Sequence, residues 1–440
     1  MITELAPATT PPPEPAPEPA PPRDHSKRDF RLLWFGQGVS TIGSEITEIA
    51  LPFTALVFLG ASATEIGILS GLKDLAGLVL TLFAGVLVDR MRRRRLMIAA
   101  DLGRFLALGI IPLLALGGIL SMPILYVAAF VVGCLTVVFN LAYPAFVGSL
   151  LENDRLINAN SKLEGTQQIA GVVGPGLGGI LVQALRAPFA IAVDALSFLL
   201  SALSLSAMRH RESEDDLIRG ETGGVRGVFR DIKEGLAATF GNPHLRALAA
   251  EAATFNLFSQ IVMVLFLVYA SRDVGLSAGV IGVVFAVGSV GGTLGALITG
   301  KLVDRIGVGP ALVWSTALTV APMVALPFIS GPKPVQAVLF GAVYLIVGLG
   351  IVISAITSIT MRQTITPSRM RGRVNASFRF VTIGVIPIGA VGAGLLGDWI
   401  GLHNALYVSA VGTPLALLWL IFSPVPKVRT LDEITPKENR

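Results

Sequence analysis

Along this chain, apolar runs of about twenty residues alternate with short polar breaks, and at ~1.5 Å per residue each run can cross a ~30 Å hydrocarbon layer as a helix. Glycine and proline punctuate the runs and no strand-like alternation appears, so helices are predicted rather than barrel strands. Twelve spans are expected, centred near Glu45, Ala76, Ile110, Thr136, Val172, Phe198, Ser259, Ser289, Ala321, Leu345, Ile386 and Leu415. The fold class is therefore an all-α membrane protein.

The polar and apolar pattern repeats. GVLVDR at Gly85 and GKLVDR at Gly300 differ by 215, as do SATEIG at Ser62 and SAGVIG at Ser277, FRLL at Phe30 and LRAL at Leu245, and Asn160 and Asn375. Four matches in one ungapped register predict two parallel six-helix repeats. The expected layout is a disordered Pro-rich tail (1–28), a first bundle (29–208), a polar linker (209–243), a second bundle (244–424) and a tail (425–440). The opening PPPEPAPEPAPP cannot bury a core, and no apolar signal-peptide core follows Met1.

Composition agrees with membrane residence: 53% of residues are hydrophobic and 14% charged, with a mean hydropathy of +0.72. The single Cys134 excludes a disulfide framework and a cysteine-based metal site, and neither a metal nor a cofactor is expected. Basic residues concentrate in the loops after even-numbered spans: Arg90 with Arg92 to Arg95, the segment after Ala207, Lys301 with Arg305, and Arg362, Arg369, Arg371 and Arg373. The opposite loops carry only Arg186, Arg272 and Lys333, which predicts that both termini are cytoplasmic. The net charge of +5 follows from this asymmetry, so lipid headgroups rather than nucleic acid are the expected partners of RMRRRR.

Across nearly its whole length after residue 28, the chain resembles a transporter of the major facilitator superfamily. GVLVDRMRRRR is similar to that superfamily's loop signature between helices two and three, and GKLVDRIGVGP to its weaker second copy. FRLLWFGQ, IALPF, VDALSF and PSRMRGRVNA resemble the proton-driven drug exporters that include macrolide and siderophore efflux proteins. GVVGPGLGG resembles the GPxxGG signature of exporters' fifth helix, in which Gly174, Pro175, Gly178 and Gly179 would serve close helix packing. The resemblance implies a gate in which Gly85, Asp89 and Arg90 hold the cytoplasmic side shut. A carboxylate at Asp89 suits the positive N-terminal end of a facing helix, here the eleventh near Arg373 to Ser377. Arg93 and its neighbours would meet lipid headgroups or Asp101, while Asp304 and Arg305 repeat the pair without the arginine cluster. GALITGKL lacks the hydroxyl residue of a phosphate loop, having Leu302 in its place. Like the glycines of GPGLGG it lies within apolar spans, so neither predicts nucleotide binding, and no enzyme is expected.

GSEITEIALPF, residues 43–53, puts two carboxylates into the first span. Gln37, Thr41, Ser44 and Glu48 fall on one helix face with Glu45 on its flank, a polar stripe suited to a water-filled cavity. The superfamily's first, fourth, seventh and tenth helices line such a cavity, and the matching seventh-helix positions are Asn256, Ser259, Gln260 and Met263. A carboxylate near the bilayer centre costs roughly 2.5 to 3.5 kcal/mol, so the two require compensation or a function. Lys73 and Asp74 lie at similar depth, Lys73 being the candidate partner of Glu48 or Glu45, and Asp194 in the sixth span is a second candidate carrier. The four histidines lie in tails, linkers or span ends, leaving carboxylates to carry protons. The expectation is a monomeric secondary transporter that exports small amphipathic organic compounds against protons. An uptake or facilitative carrier, and a non-transporting sensor with the same fold, stand as alternatives.

Overall fold

The computed structural model describes residues 26–151, 153–210 and 224–435; within its helices, the side chains of residues 78, 79, 81–90, 153, 154, 224–229 and 231 are outside the description. The first half comprises α1 (Ser26–Phe53), α2 (Ala63–Arg90), α3 (Arg93–Leu116), α4 (Met122–Leu150), α5 (Asn153–Leu185) and α6 (Ala187–Ser206). After α7 (Gly224–Gly241), the second half comprises α8 (Pro243–Arg272), α9 (Ala278–Ile306), α10 (Val308–Ala325), α11 (Lys333–Ile365), α12 (Arg371–Gly384), α13 (Ile386–Ile400), α14 (Leu402–Gly412) and α15 (Leu415–Ile421). Proline explains the divisions: Pro387 and Pro414 interrupt the last two spans, making α12–α13 and α14–α15 one broken crossing each. Eleven helical segments among the described residues are long and apolar enough to cross a membrane. With α2, whose 28 residues reach ~42 Å, they make twelve.

The structure is all-α, and each half repeats one set of helix contacts. In the first half α1 packs on α5 and α6, α2 on α4, and α3 on α4 and α6. In the second, α8 packs on α13 and α14–α15, α9 on α11, and α10 on α11 and α14–α15. The two halves meet along α2–α13 and along α5–α9, seams that correspond under the 215-residue offset. Large apolar side chains such as Leu297, Trp399 and Phe422 are exposed on the outside of the bundle, where hydrocarbon would cover them.

Both seams are built on backbone contact. A Cβ on Gly67 would strike the Ala390 carbonyl, and one on Gly394 the backbone of Ala63 and Thr64. On the other seam, Gly179 faces Ala278 and Gly282 faces the Pro175 carbonyl in the same way. These contacts lie toward the α1–α2 loop, hereafter the distal end; the proximal end carries Ser26. Asp398, near the end of α13, accepts the N–H groups of Ala63 and Thr64 at 3.3 and 3.0 Å and so caps α2 from the opposite half. Arg272 donates to the Ala61 carbonyl at 2.5 Å at the same end.

Two segments differ from the sequence-based layout. Part of the polar linker is α7, which packs on α12: Glu234 pairs with Arg373 at 2.8 Å, and the Ser377 hydroxyl donates to the Ile232 carbonyl at 2.9 Å. Gly235 permits this approach, because a Cβ there would collide with Ser377 and the Arg373 carbonyl. The chain after 424 also docks, with the N–H groups of Val308 and Gly309 donating to Arg429 and Val428 carbonyls at 3.2 and 2.9 Å, which satisfies open donors of α10.

Candidate transport site

Glu45 and Glu48 stand one turn apart on α1, in different surroundings. Both oxygens of Glu48 accept from Lys73 Nζ, at 2.5 and 2.6 Å, and the side chains of the pair are 52% and 32% exposed. Glu45 is half-buried and has no hydrogen bond or ion pair among the described residues. Its stem is held by α5: a Cβ on Gly174 would fall on the Glu45 Cβ and lie 2.9 Å from its Cγ. Gly178 packs in the same manner on Ile46 and Ile49. The glycines of GPGLGG thus let α5 close on α1 at the carboxylate's own level, while Gly179 and Pro175 join the α5–α9 seam. Behind Lys73, Gly133 of α4 rests against its carbonyl, which fixes the depth of α2.

These groups open into a cavity of about 750 Å³ between the halves. Every charged lining residue comes from the first half: Glu45 and Glu48 from α1, Lys73 and Asp74 from α2. The second half supplies Gln260, Ser289 and Tyr344 and an apolar wall that includes Met263, Phe285 and Val347. Three carboxylates against one lysine leave the charged wall formally negative, and an apolar wall faces it. Such a cavity can hold a compound with a cationic end and an apolar body.

The structure brings Glu45, Glu48, Lys73, Asp74 and Gln260 together and separates the other sequence candidates from them. The Thr41 and Ser44 hydroxyls donate to the Gln37 and Ser40 carbonyls at 2.8 and 3.0 Å, so both are spent on their own helix. Gln37 lies about two turns toward the proximal end from Ser44, and its Oε1 is buried without a partner among the described residues. Asn256 donates to the Thr382 carbonyl at 2.7 Å and lines a separate cavity. The fourth helix contributes no residue to the central lining, whereas the second, fifth, eighth and eleventh spans do. Asp194 is buried on the far side of α1, against Gly43 and Ser197. Asp101 pairs with Arg104 within α3, and that guanidinium lies 4.6 and 4.1 Å from the ring centres of Phe139 and Phe198. Arg93, two turns or ~12 Å along α3 from Asp101, instead reaches the Ala145 carbonyl at 3.4 Å. Asp304 and Arg305 are exposed at the proximal end of α9 beside Arg429. The side chains of Gly85, Asp89 and Arg90 lie outside the described residues.

Over residues 33–382, about four-fifths of its length, the sequence matches the profile of the Major Facilitator Superfamily. The chain belongs to that superfamily. It is accordingly a transporter-family protein and not an enzyme. Among its relatives, the multidrug efflux pump Tap of Mycolicibacterium fortuitum is 29% identical over 412 residues, covering 91% of this chain and 96% of that one. Macrolide efflux protein A of Streptococcus pyogenes is 24% identical over 411 residues, covering 92% and 98%. In fold, this chain is similar to a bacterial homologue of the iron transporter ferroportin. Its inward-facing state aligns with a TM-score of 0.73 at 19% identity, over 90% of this chain and 98% of that one, and its outward-facing state at 0.57.

Asp398 and Arg272 at the distal seam were not among the sequence candidates. The 215 register holds the signal for the first: Asp398 matches Gln183, whose Oε1 lies against Gly279 at the start of α9, as Asp398 lies at the start of α2.

Proposed function

We propose that this protein exports small amphipathic, preferentially cationic, organic compounds in exchange for protons. It would act as a monomer in the cytoplasmic membrane, with both termini in the cytoplasm. The observation that carries this proposal is the central cavity, apolar on one wall and carboxylate-bearing on the other. There Glu48 has a cationic partner and Glu45 has none among the described residues. A carboxylate without a fixed counter-charge can exchange a proton for the positive end of a substrate, and this competition is what antiport requires. The names of the two efflux relatives support a drug-like cargo, and the basic loops at the proximal end support the orientation. With that orientation the distal seams close the outer side, and the better match to an inward-facing neighbour supports the same state. Asp89 and Arg90 would gate the inner side by alternating access, with lipid headgroups meeting the arginines after them. In the present state, α7 occupies the face of α12 at Arg373 to Ser377 that the sequence assigns to Asp89.

The test is accumulation of cationic dyes in cells and vesicles with and without the protein. Lower accumulation that an ionophore abolishes supports proton-driven export. Higher accumulation would instead establish uptake, and an unchanged level across a broad panel would remove transport of this substrate class.

A further inference from the structure

A second cavity, of about 280 Å³, lies within the second half and is lined by α8, α10, α11 and α12. It is distinct from the central cavity and meets it at Ile351, which lines both. Glu251 of α8 is one of its lining residues, and only 5% of this residue is exposed. Its one hydrogen bond among the described residues comes from the Thr316 hydroxyl at 3.4 Å, and that hydroxyl is 3.3 Å from the hydroxyl of Ser354. Thr319 and Ser358 add further hydroxyls to the lining. The charged groups that share the cavity are Arg362 on α11 and Arg379 on α12, and neither forms an ion pair with Glu251 among the described residues. Arg362 is held elsewhere: its Nε donates to Asn375 at 3.0 Å and its guanidinium stacks 4.0 Å from the Phe378 ring centre. Arg379 is exposed. The sequence of α10 contains no ionisable residue.

A buried carboxylate with one long hydrogen bond and no fixed cation is costly inside a membrane, and mobile positive charge offsets that cost. Carboxylate and hydroxyl oxygens suit a hard, small cation rather than a soft metal or an extended organic molecule. From this arrangement we propose that the second cavity is a binding site for a small monovalent cation, a proton or a sodium ion, held by Glu251 with Thr316 and Ser354. Its contact with the central cavity at Ile351 gives occupancy of one a path to influence the other. The site is independent of Glu45, Glu48 and Lys73 and stands whether or not those residues couple export.

The experiment compares the full-length wild type with Glu251→Gln in lipid nanodiscs. Melting temperature is followed on replacing choline chloride by sodium chloride at constant ionic strength, and infrared difference spectra are recorded on a pH step across neutrality. If sodium is the ligand, it raises the wild-type melting temperature and the variant loses that response. If the proton is the ligand, sodium acts equally on both proteins, and a protonated-carboxyl carbonyl band in the wild-type spectrum is lost in the variant. Equal sodium responses together with identical carboxyl bands would overturn the proposal. Should Glu251→Gln fail to fold, Thr316→Val keeps the carboxylate and removes its donor. That variant is expected to weaken the sodium response several-fold or to shift the carboxyl band, and unchanged behaviour in both measurements would again overturn the site.

Discussion

One turn of helix separates Glu45 from Glu48, and one lysine distinguishes them. Glu45→Gln should preserve the fold, since the carboxylate has no partner among the described residues to lose, and should reduce ionophore-sensitive efflux on the order of tenfold or more. Vesicle transport with and without a proton gradient checks this, and retained proton-dependent export would move the carrier to Asp74. Glu48→Gln leaves Lys73 unpaired, but the pair is half open to the cavity, where water screens the loss to about 1 kcal/mol. A lower melting temperature for Glu48→Gln, recovered by Lys73→Met with Glu48→Gln, is the expected pattern. The sequence placed Glu45, Glu48 and Lys73 at a common depth, and depth suffices to bring residues of adjacent spans together. Helix rotation could not be read as well: Thr41 and Ser44 share a face with Glu48, yet their hydroxyls are consumed by carbonyls one turn back, a local alternative that polarity patterns do not register.

Among the elements, α5 touches both the site and the partner half. A branched side chain at Gly282 would meet the Pro175 carbonyl and force the α5–α9 seam apart. Gly282→Val should therefore separate the halves at the distal end, measured as a longer distance between spin labels on α5 and α9. An unchanged distance would mean that the seam yields without opening. Asp398→Asn weakens the charged cap on α2 by about 1 kcal/mol, which corresponds to roughly a fivefold change in the ratio of closed to open distal ends. Labels on α2 and α13 would report that change. By resemblance, the sequence disclosed Gly174, Pro175, Gly178 and Gly179 of α5 as packing residues. It did not disclose which helices they join, because glycine permits approach from any neighbour and only the fold chooses one. The helix α7 was missed for a related reason. Charged residues dominate the segment 209–243, and the short apolar periodicity of FRDIKEGLAATF is outweighed unless the docking face on α12 is known.

In the whole molecule, the 215-residue repeat foreshadowed the architecture, since each half repeats one set of helix contacts and the halves meet along the corresponding seams α2–α13 and α5–α9. The chemistry does not share that symmetry: Asp398 matches Gln183, and the charged cavity wall matches an uncharged one. α7 adds a physical tie between the halves' shared linker and α12. Glu234→Lys would place like charges at Arg373 and should release this helix, seen as faster amide exchange over 232–241 while the spans remain protected. Exchange unchanged from wild type would show that Gly235 packing alone holds it.

The confinement of lining charges to the first half also bears on how such a protein adapts. Under selection for resistance to an unfamiliar compound, substitutions can accumulate at Met263, Phe285, Tyr344 or Val347, altering cargo shape without disturbing the ion-bearing wall. Lineages that diverge in drug spectrum would then carry their differences on the repeat whose share of the central lining bears no charge.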